Sequence, residues 1–289
     1  MLSARIPPAK TVPGSPVRTP AMTSHMFSAL GKHKTLIKQL LVREISSRYR
    51  GSIMGIVWSL VTPILMLGIY TFVFKYIFKA RWTVPTADGE VLSFAMILFL
   101  GMLVHGMLAD ILMRSPGLIV ENVNFVKKVV FPLETLSWVT LFSTIFNFVI
   151  GFFLLLGFVY IELGQIPVTA LLVPVILLPY FLLLLGVSWL LAALGVYVRD
   201  IQQVSGTLAT LLLFLSPVFY SISILPDNLQ LLIRFNPITV IVEACRSVVI
   251  FGEQPNYYYL TVYSVVALFV AVLGFTLFNR MRRGFADVL

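Results

Sequence analysis

Six long stretches of this chain carry no charged residue: Gly51–Phe74, Val91–Ala109, Thr135–Ile161, Leu163–Val198, Ile201–Pro226 and Gln254–Asn279. A membrane-crossing helix needs about 20 predominantly apolar residues to traverse roughly 30 Å of hydrocarbon. Each run reaches that order. The fourth, with Pro167, Pro174 and Pro179, reads as an outside loop followed by one helix starting near Val173. Alternating strand patterns are absent, which argues against a β-barrel. The expected fold class is therefore an all-α membrane protein with six transmembrane helices. Composition agrees, since 59% hydrophobic against 11% charged residues lies outside the range of soluble domains.

Orientation follows from lysine and arginine, which are retained on the cytoplasmic side near the ends of spans. With both termini cytoplasmic, only Lys75, Lys79, Arg81, Arg234 and Arg246 of the 21 basic residues fall outside. The net charge of +9 is then explained by topology and anionic lipid contact, and nucleic acid is not an expected partner. Residues 1–30 are rich in Pro, Ser and Thr and contain no apolar core of signal-peptide length, so they are expected to form a disordered cytoplasmic tail. The transmembrane domain is expected over 31–289. Cys245 is the single cysteine, which excludes an intramolecular disulfide.

The basic segment before the first run has helical periodicity. Leu36, Ile37, Leu40, Leu41, Ile45 and Tyr49 recur every three or four residues, with Lys38, Arg43, Glu44, Ser47 and Arg48 on the other face. This predicts an amphipathic helix lying in the cytoplasmic leaflet, in preference to a plain basic flank. Gly51, Gly55 and Ser59, four apart, would let a neighbouring helix approach the first span closely.

Two loops stand out. The inner loop Arg114–Pro132 is long enough for a short helix over Leu118–Lys128, whose polar surface either docks a cytoplasmic partner or is simply solvated. Beyond the fifth run, Ser221–Asn256 should be outside yet is strongly apolar. Its helical stretches, Asp227–Phe235 and Pro237–Phe251, would measure roughly 13 and 22 Å and cannot span. With Asn236 and Pro237 as a helix start, they predict two short re-entrant helices between spans five and six. Glu243 and Arg246, three apart, form either an intrahelical pair that fixes the hairpin, the favoured reading, or a contact to a polar substrate.

Chemistry-bearing constellations are few. His105 stands alone, and Asp110 with Arg114 reads as a helix pair, which gives no proton relay. No His or Cys cluster has metal-ligand spacing, so no metal site is expected. The stretch Leu30–Thr35 lacks the first glycine of a nucleotide loop, Met26 standing in its place. Active transport by this chain would need a separate energising subunit, with no cofactor held here.

Five segments together carry a family resemblance: REISSRYRGSIMGIVWSLVTPIL, VVFPLETL, GVYVRDIQQV, LSPVFYSIS and RFNPITVIVEACRSVVIFG. From about Leu36 to Leu289 the chain resembles the membrane subunit of ABC-2 type exporters, in the branch that exports O-antigen, teichoic acid and capsular polysaccharides. The resemblance implies a bacterial inner-membrane protein pairing with a second copy of itself above two ATP-binding cassette subunits. It implies that Arg43, Glu44, Arg48 and Arg50 with Glu121, Asn122, Asn124, Lys127 and Lys128 receive the motion of the ATPase. It also implies that spans one and five line the channel, where Trp58, Tyr70, Phe72, Phe74, Tyr76, Phe214, Phe219 and Tyr220 would offer rings to sugar C–H faces. The alternative for these rings is a lipid-facing belt.

Three functions compete. The first is ATP-driven export of lipid-linked polysaccharide, with no catalytic residue on this chain. The second is an ABC-2 exporter of drugs or other small amphiphiles. The third, a polyprenyl-phosphate glycosyltransferase, is disfavoured because Asp88, Glu90, Glu162, Asp227 and Glu253 are scattered over the outer loops.

Overall fold

The uncharged runs become helices in the computed structural model. It describes residues 26–27, 30–78, 94–127, 131–222, 225–234 and 236–289. Among these, five helices are long and apolar enough to cross a membrane: Gly55–Phe74, Phe94–Arg114, Thr135–Leu163, Val168–Tyr197 and Tyr257–Val288. No strand occurs among the described residues.

Helix α1 (Lys34–Arg48) is followed by α2 (Trp58–Tyr70), which passes into a π-helical stretch, Thr71–Ile77. Then come α3 (Phe94–Arg114), the single turn α4 (Val123–Val126), α5 (Thr135–Leu163) and α6 (Val173–Tyr197). The sequence expectation of a helix start near Val173 is met, with a 3-10 turn at Val168–Leu172 leading in and Pro174 in the first turn. Helices α7 (Ile201–Phe214), α8 (Asp227–Arg234), α9 (Thr239–Val249), α10 (Tyr257–Met281) and α11 (Phe285–Val288) complete the chain.

The fifth uncharged run departs from the six-span expectation. Helix α7 has 14 residues, about 21 Å at 1.5 Å per residue, short of a crossing. Pro217 has no N–H to return to the carbonyl four residues earlier, and the chain leaves the helix through turns from Leu215 to Val218. The expected tail, 1–30, lies outside the described residues except at its end, where Met26 is buried and the Phe27 ring lies 6.1 Å from Trp138.

Helix α3 forms the centre of the bundle. Most of its residues are buried, and it packs against α5, α6, α7 and α9. The most extensive pairing joins α6 to α10. Lipid tails are as apolar as leucine, so helices in a bilayer associate by close fit more than by escape from water. Small residues supply that fit here: a Cβ added to Gly186 would meet the Ala271 Cα at 2.6 Å, and one on Gly274 would strike the Gly186 carbonyl. By contrast, a Cβ added to Gly51 or Gly55 would meet nothing within 4 Å. Their φ values of 85° and 52° turn the chain from α1 into α2, so the four-residue spacing reflects a turn rather than a packing motif.

Both ends of the described chain are tied to one end of the bundle. Arg48 at the end of α1 pairs with Asp110 at 3.1 Å. Arg282, past α10, pairs with Glu134 at 2.7 Å and donates to the Phe131 carbonyl at 2.8 Å. At the opposite end the Thr169 hydroxyl donates to the Val248 carbonyl at 2.6 Å, fixing α9 to the start of α6.

Candidate functional site

Four ionisable groups meet where α1 crosses the end of α3. Asp110 accepts from Arg48 at 3.1 Å and from Arg114 at 3.2 Å, and Arg114 also reaches Glu44. Thr144 of α5 donates a further hydrogen bond to Asp110. Two carboxylates and two guanidinium groups leave the cluster electrically balanced, which a site about a quarter exposed requires. The expected Asp110–Arg114 pair is present. Glu44 and Arg48, expected on the open face of α1, instead face α3 and α5, because the stripe that packs also contains Ile37 and Leu40. The helix is therefore docked against the bundle through charges as well as apolar contacts.

Beside this cluster α4 occupies only Val123–Val126, shorter than the expected Leu118–Lys128 helix. Turns precede it, and the Asn122 side chain donates to the Leu118 carbonyl at 3.0 Å, competing with helical pairing. The Arg43 guanidinium lies 5.6 Å above the Phe125 ring, and Phe125 stacks on Phe131 at 4.2 Å. Arg43 of α1 is thus brought onto α4, joining two segments that the sequence treats separately. Glu121, Asn124 and Lys127 are exposed, as are Arg43 and Arg50, whereas Asn122 is half-buried. Lys128 lies outside the described residues.

The α8–α9 pair is locked to the broken end of α7. Helix α9 begins at Thr239, not at Pro237, which sits in the preceding turn. Asn236 nonetheless makes the side-chain bond expected of a start at Pro237. Its Oδ1 accepts from the Ile238 N–H at 3.1 Å, while its Nδ2 donates to the Ser216 hydroxyl at 3.1 Å. Arg246 is 1% exposed. It donates to the carbonyls of Pro217 at 2.5 Å and Val218 at 2.9 Å, reaches that of Ile97 at 3.5 Å, and pairs with Glu243 at 3.0 Å. A planar guanidinium satisfies several acceptors at once, which a lysine cannot do. The favoured pairing of Glu243 with Arg246 is present. Sequence reasoning missed the carbonyls of Pro217 and Val218, although Pro217 signals a break after which acceptors need a donor.

The aromatic residues divide. Trp58, Phe72, Tyr76 and Phe214 are exposed, whereas Phe74 packs on Phe94 at 4.8 Å and Tyr70 is half-buried. Phe219 stacks on Phe214 at 5.8 Å, and the Tyr220 hydroxyl donates to the Phe214 carbonyl at 3.4 Å. No residue of α2 is buried, and only Ser205 and Ala209 of α7 are. His105, buried in α3, contacts the Ala209 carbonyl at 3.0 Å and ties α7 to the core.

Comparison with known proteins places this architecture. A family model described as ABC-2 type transporter matches residues 35–250. The chain is 22% identical over 270 residues to a Klebsiella pneumoniae protein named O-antigen export system permease protein RfbA, covering 93% of this chain and 100% of that one. A Myxococcus xanthus protein of the same name is 26% identical over 263 residues, 89% of this chain and 96% of its own. The Escherichia coli polysialic acid transport protein KpsM is 25% identical over 244 residues, covering 83% and 92%.

Proposed function

This chain belongs to the ABC-2 type transporter family, and from that premise we propose that it is the membrane subunit of an exporter moving lipid-linked polysaccharide across the bacterial inner membrane. The observation that carries the reading is the end-to-end similarity to O-antigen export permeases, which covers 93% of this chain and the whole of one relative. ATP and magnesium belong to two separate ATP-binding subunits, and this chain supplies the path.

Two copies form that path. The unburied α2 and the thinly packed α7 face each other's counterparts, with Trp58, Phe72, Tyr76 and Phe214 available to a passing glycan. Helix α7 with the apolar turns that follow it completes a sixth crossing, both termini are cytoplasmic, and α8 and α9 re-enter from outside. Helix α1 lies at the cytoplasmic surface, where Arg43, Arg50, Glu121, Asn124 and Lys127 meet the ATPase. Because Glu44 and Arg48 are engaged with α3, they carry that push inward instead of touching the partner.

Deletion of the gene tests the reading. Lipid-linked polysaccharide is expected to accumulate on the cytoplasmic side while the surface polymer disappears. Unchanged surface glycan would overturn polysaccharide export and favour a small amphiphile as cargo.

A further inference from the structure

A cavity of about 350 Å³ opens between α8, α9 and the start of α10, within the range of small-ligand sites, roughly 300–1,000 Å³. Its wall sets polar groups among the apolar Ile222, Val240 and Ala244: Gln230 from α8, Thr239, Glu243 and Ser247 from α9, and Asn256 and Tyr259 at the start of α10. On α9 the three polar residues recur every fourth position and so share one face. The opposite face, with Ile241, Val242, Cys245, Val248 and Val249, is buried in the bundle. The polar stripe therefore lines the cavity because the helix is amphipathic, with Arg246 buried behind it.

The wall is also held rigidly. Glu243 is fixed through Oε1 by Arg246 at 3.0 Å yet remains 40% exposed. Gln230 donates through Nε2 to the Leu225 carbonyl at 2.7 Å. Asn256 accepts the Tyr258 and Tyr259 N–H groups through Oδ1 at 3.1 and 3.3 Å. Each planar group is thus pinned by one polar atom and keeps its second for a ligand.

We infer that this cavity binds one sugar residue of the exported glycan, an inference that rests on the export reading above. A carboxylate and two amides fixed in this way match neighbouring hydroxyls, which both donate and accept. Tyr259 adds a ring on which C–H groups stack. An apolar ligand would strip water from these groups without replacing its hydrogen bonds, and an anionic one would face Glu243. The cavity lies at the end of the bundle opposite the α1 anchor. A sugar held there is gripped as it leaves, so the chain is kept from sliding back between power strokes.

The test uses the transporter assembled with its ATP-binding partner in nanodiscs. The probe is the host's own surface polysaccharide, freed of lipid by mild acid, and the readout is saturation-transfer NMR. Ser247→Trp fills the cavity, and Glu243→Gln removes the charged acceptor. In the wild type, saturation is expected to reach the sugar C–H protons. It is expected to be lost in S247W, and E243Q should bind about tenfold more weakly. Tyr259→Ala, at the exposed rim, provides a second variant if S247W does not reach the membrane. No transfer in the wild type, or equal transfer in S247W and Y259A, would overturn the inference. If gene deletion abolishes the surface polymer while those variants bind normally, only the cavity assignment falls. If deletion leaves the polymer intact, export falls and takes the cavity assignment with it.

Discussion

At the scale of single residues, Arg246 is the clearest commitment in the molecule. A guanidinium 1% exposed is stable only while its acceptors stay in place. Those acceptors come from α3, α9 and the turn after α7, so one side chain fixes three elements. Arg246→Met is expected to leave the carbonyls of Pro217 and Val218 without their donor and to destabilise the fold by about 3–5 kcal/mol. Thermal unfolding of the detergent-solubilised protein would show it, and a midpoint unchanged from wild type would refute the role. The sequence revealed the Glu243–Arg246 pair from its spacing alone. It concealed the remaining partners, because a contact between Arg246 and Ile97 depends on tertiary packing that no local pattern encodes.

At the scale of elements, legibility followed length. Long uncharged runs became long helices, and the start of α6 was readable from Val173 and Pro174. Short elements were harder to place, as α4 and the start of α9 show, since a few residues of helical pattern are outweighed by one turn or one side-chain hydrogen bond. Helix α7 was overestimated because hydrophobicity continued past the proline that ends it. The glycines illustrate the same limit: spacing drew attention to Gly51 and Gly55, whereas the tight crossing is made by Gly186 and Gly274. Gly186→Val is expected to force α6 and α10 apart. Backbone atoms of Ala271 and Val270 stand 2.6 Å from the new Cβ, and overpacking of this kind costs about 1–3 kcal/mol. A lowered melting temperature would support the crossing, and a melting temperature equal to wild type would refute it.

At the scale of the whole molecule, the distribution of burial is uneven. Helix α3 is packed on most sides, while α2 carries no buried residue at all. If two copies meet through α2, single cysteines at the exposed Leu65 or Ile69 should give a dimer-sized band when membranes are mildly oxidised. The background is clean because the native Cys245 is buried. Absence of the band at every α2 position would remove α2 from the interface. The candidate site was only partly visible in the sequence for a related reason. Charge and aromatic content identified the residues of α1, α2 and the π-helical stretch after it, but which of them face their own chain is decided by the bundle, as Glu44, Arg48 and Phe74 demonstrate.

The α6–α10 crossing also sets an order of assembly. The groove around Gly186 is complete once α6 has been synthesised, but the ridge that fills it belongs to the last long helix. Translation at roughly 5–20 residues per second separates the two by the time needed to make Val198–Asn256, on the order of several seconds. Throughout that interval Gly186 has no α10 backbone to pack against. The newborn chain thus waits in the bilayer with its tightest joint open until Tyr257–Met281 has been made.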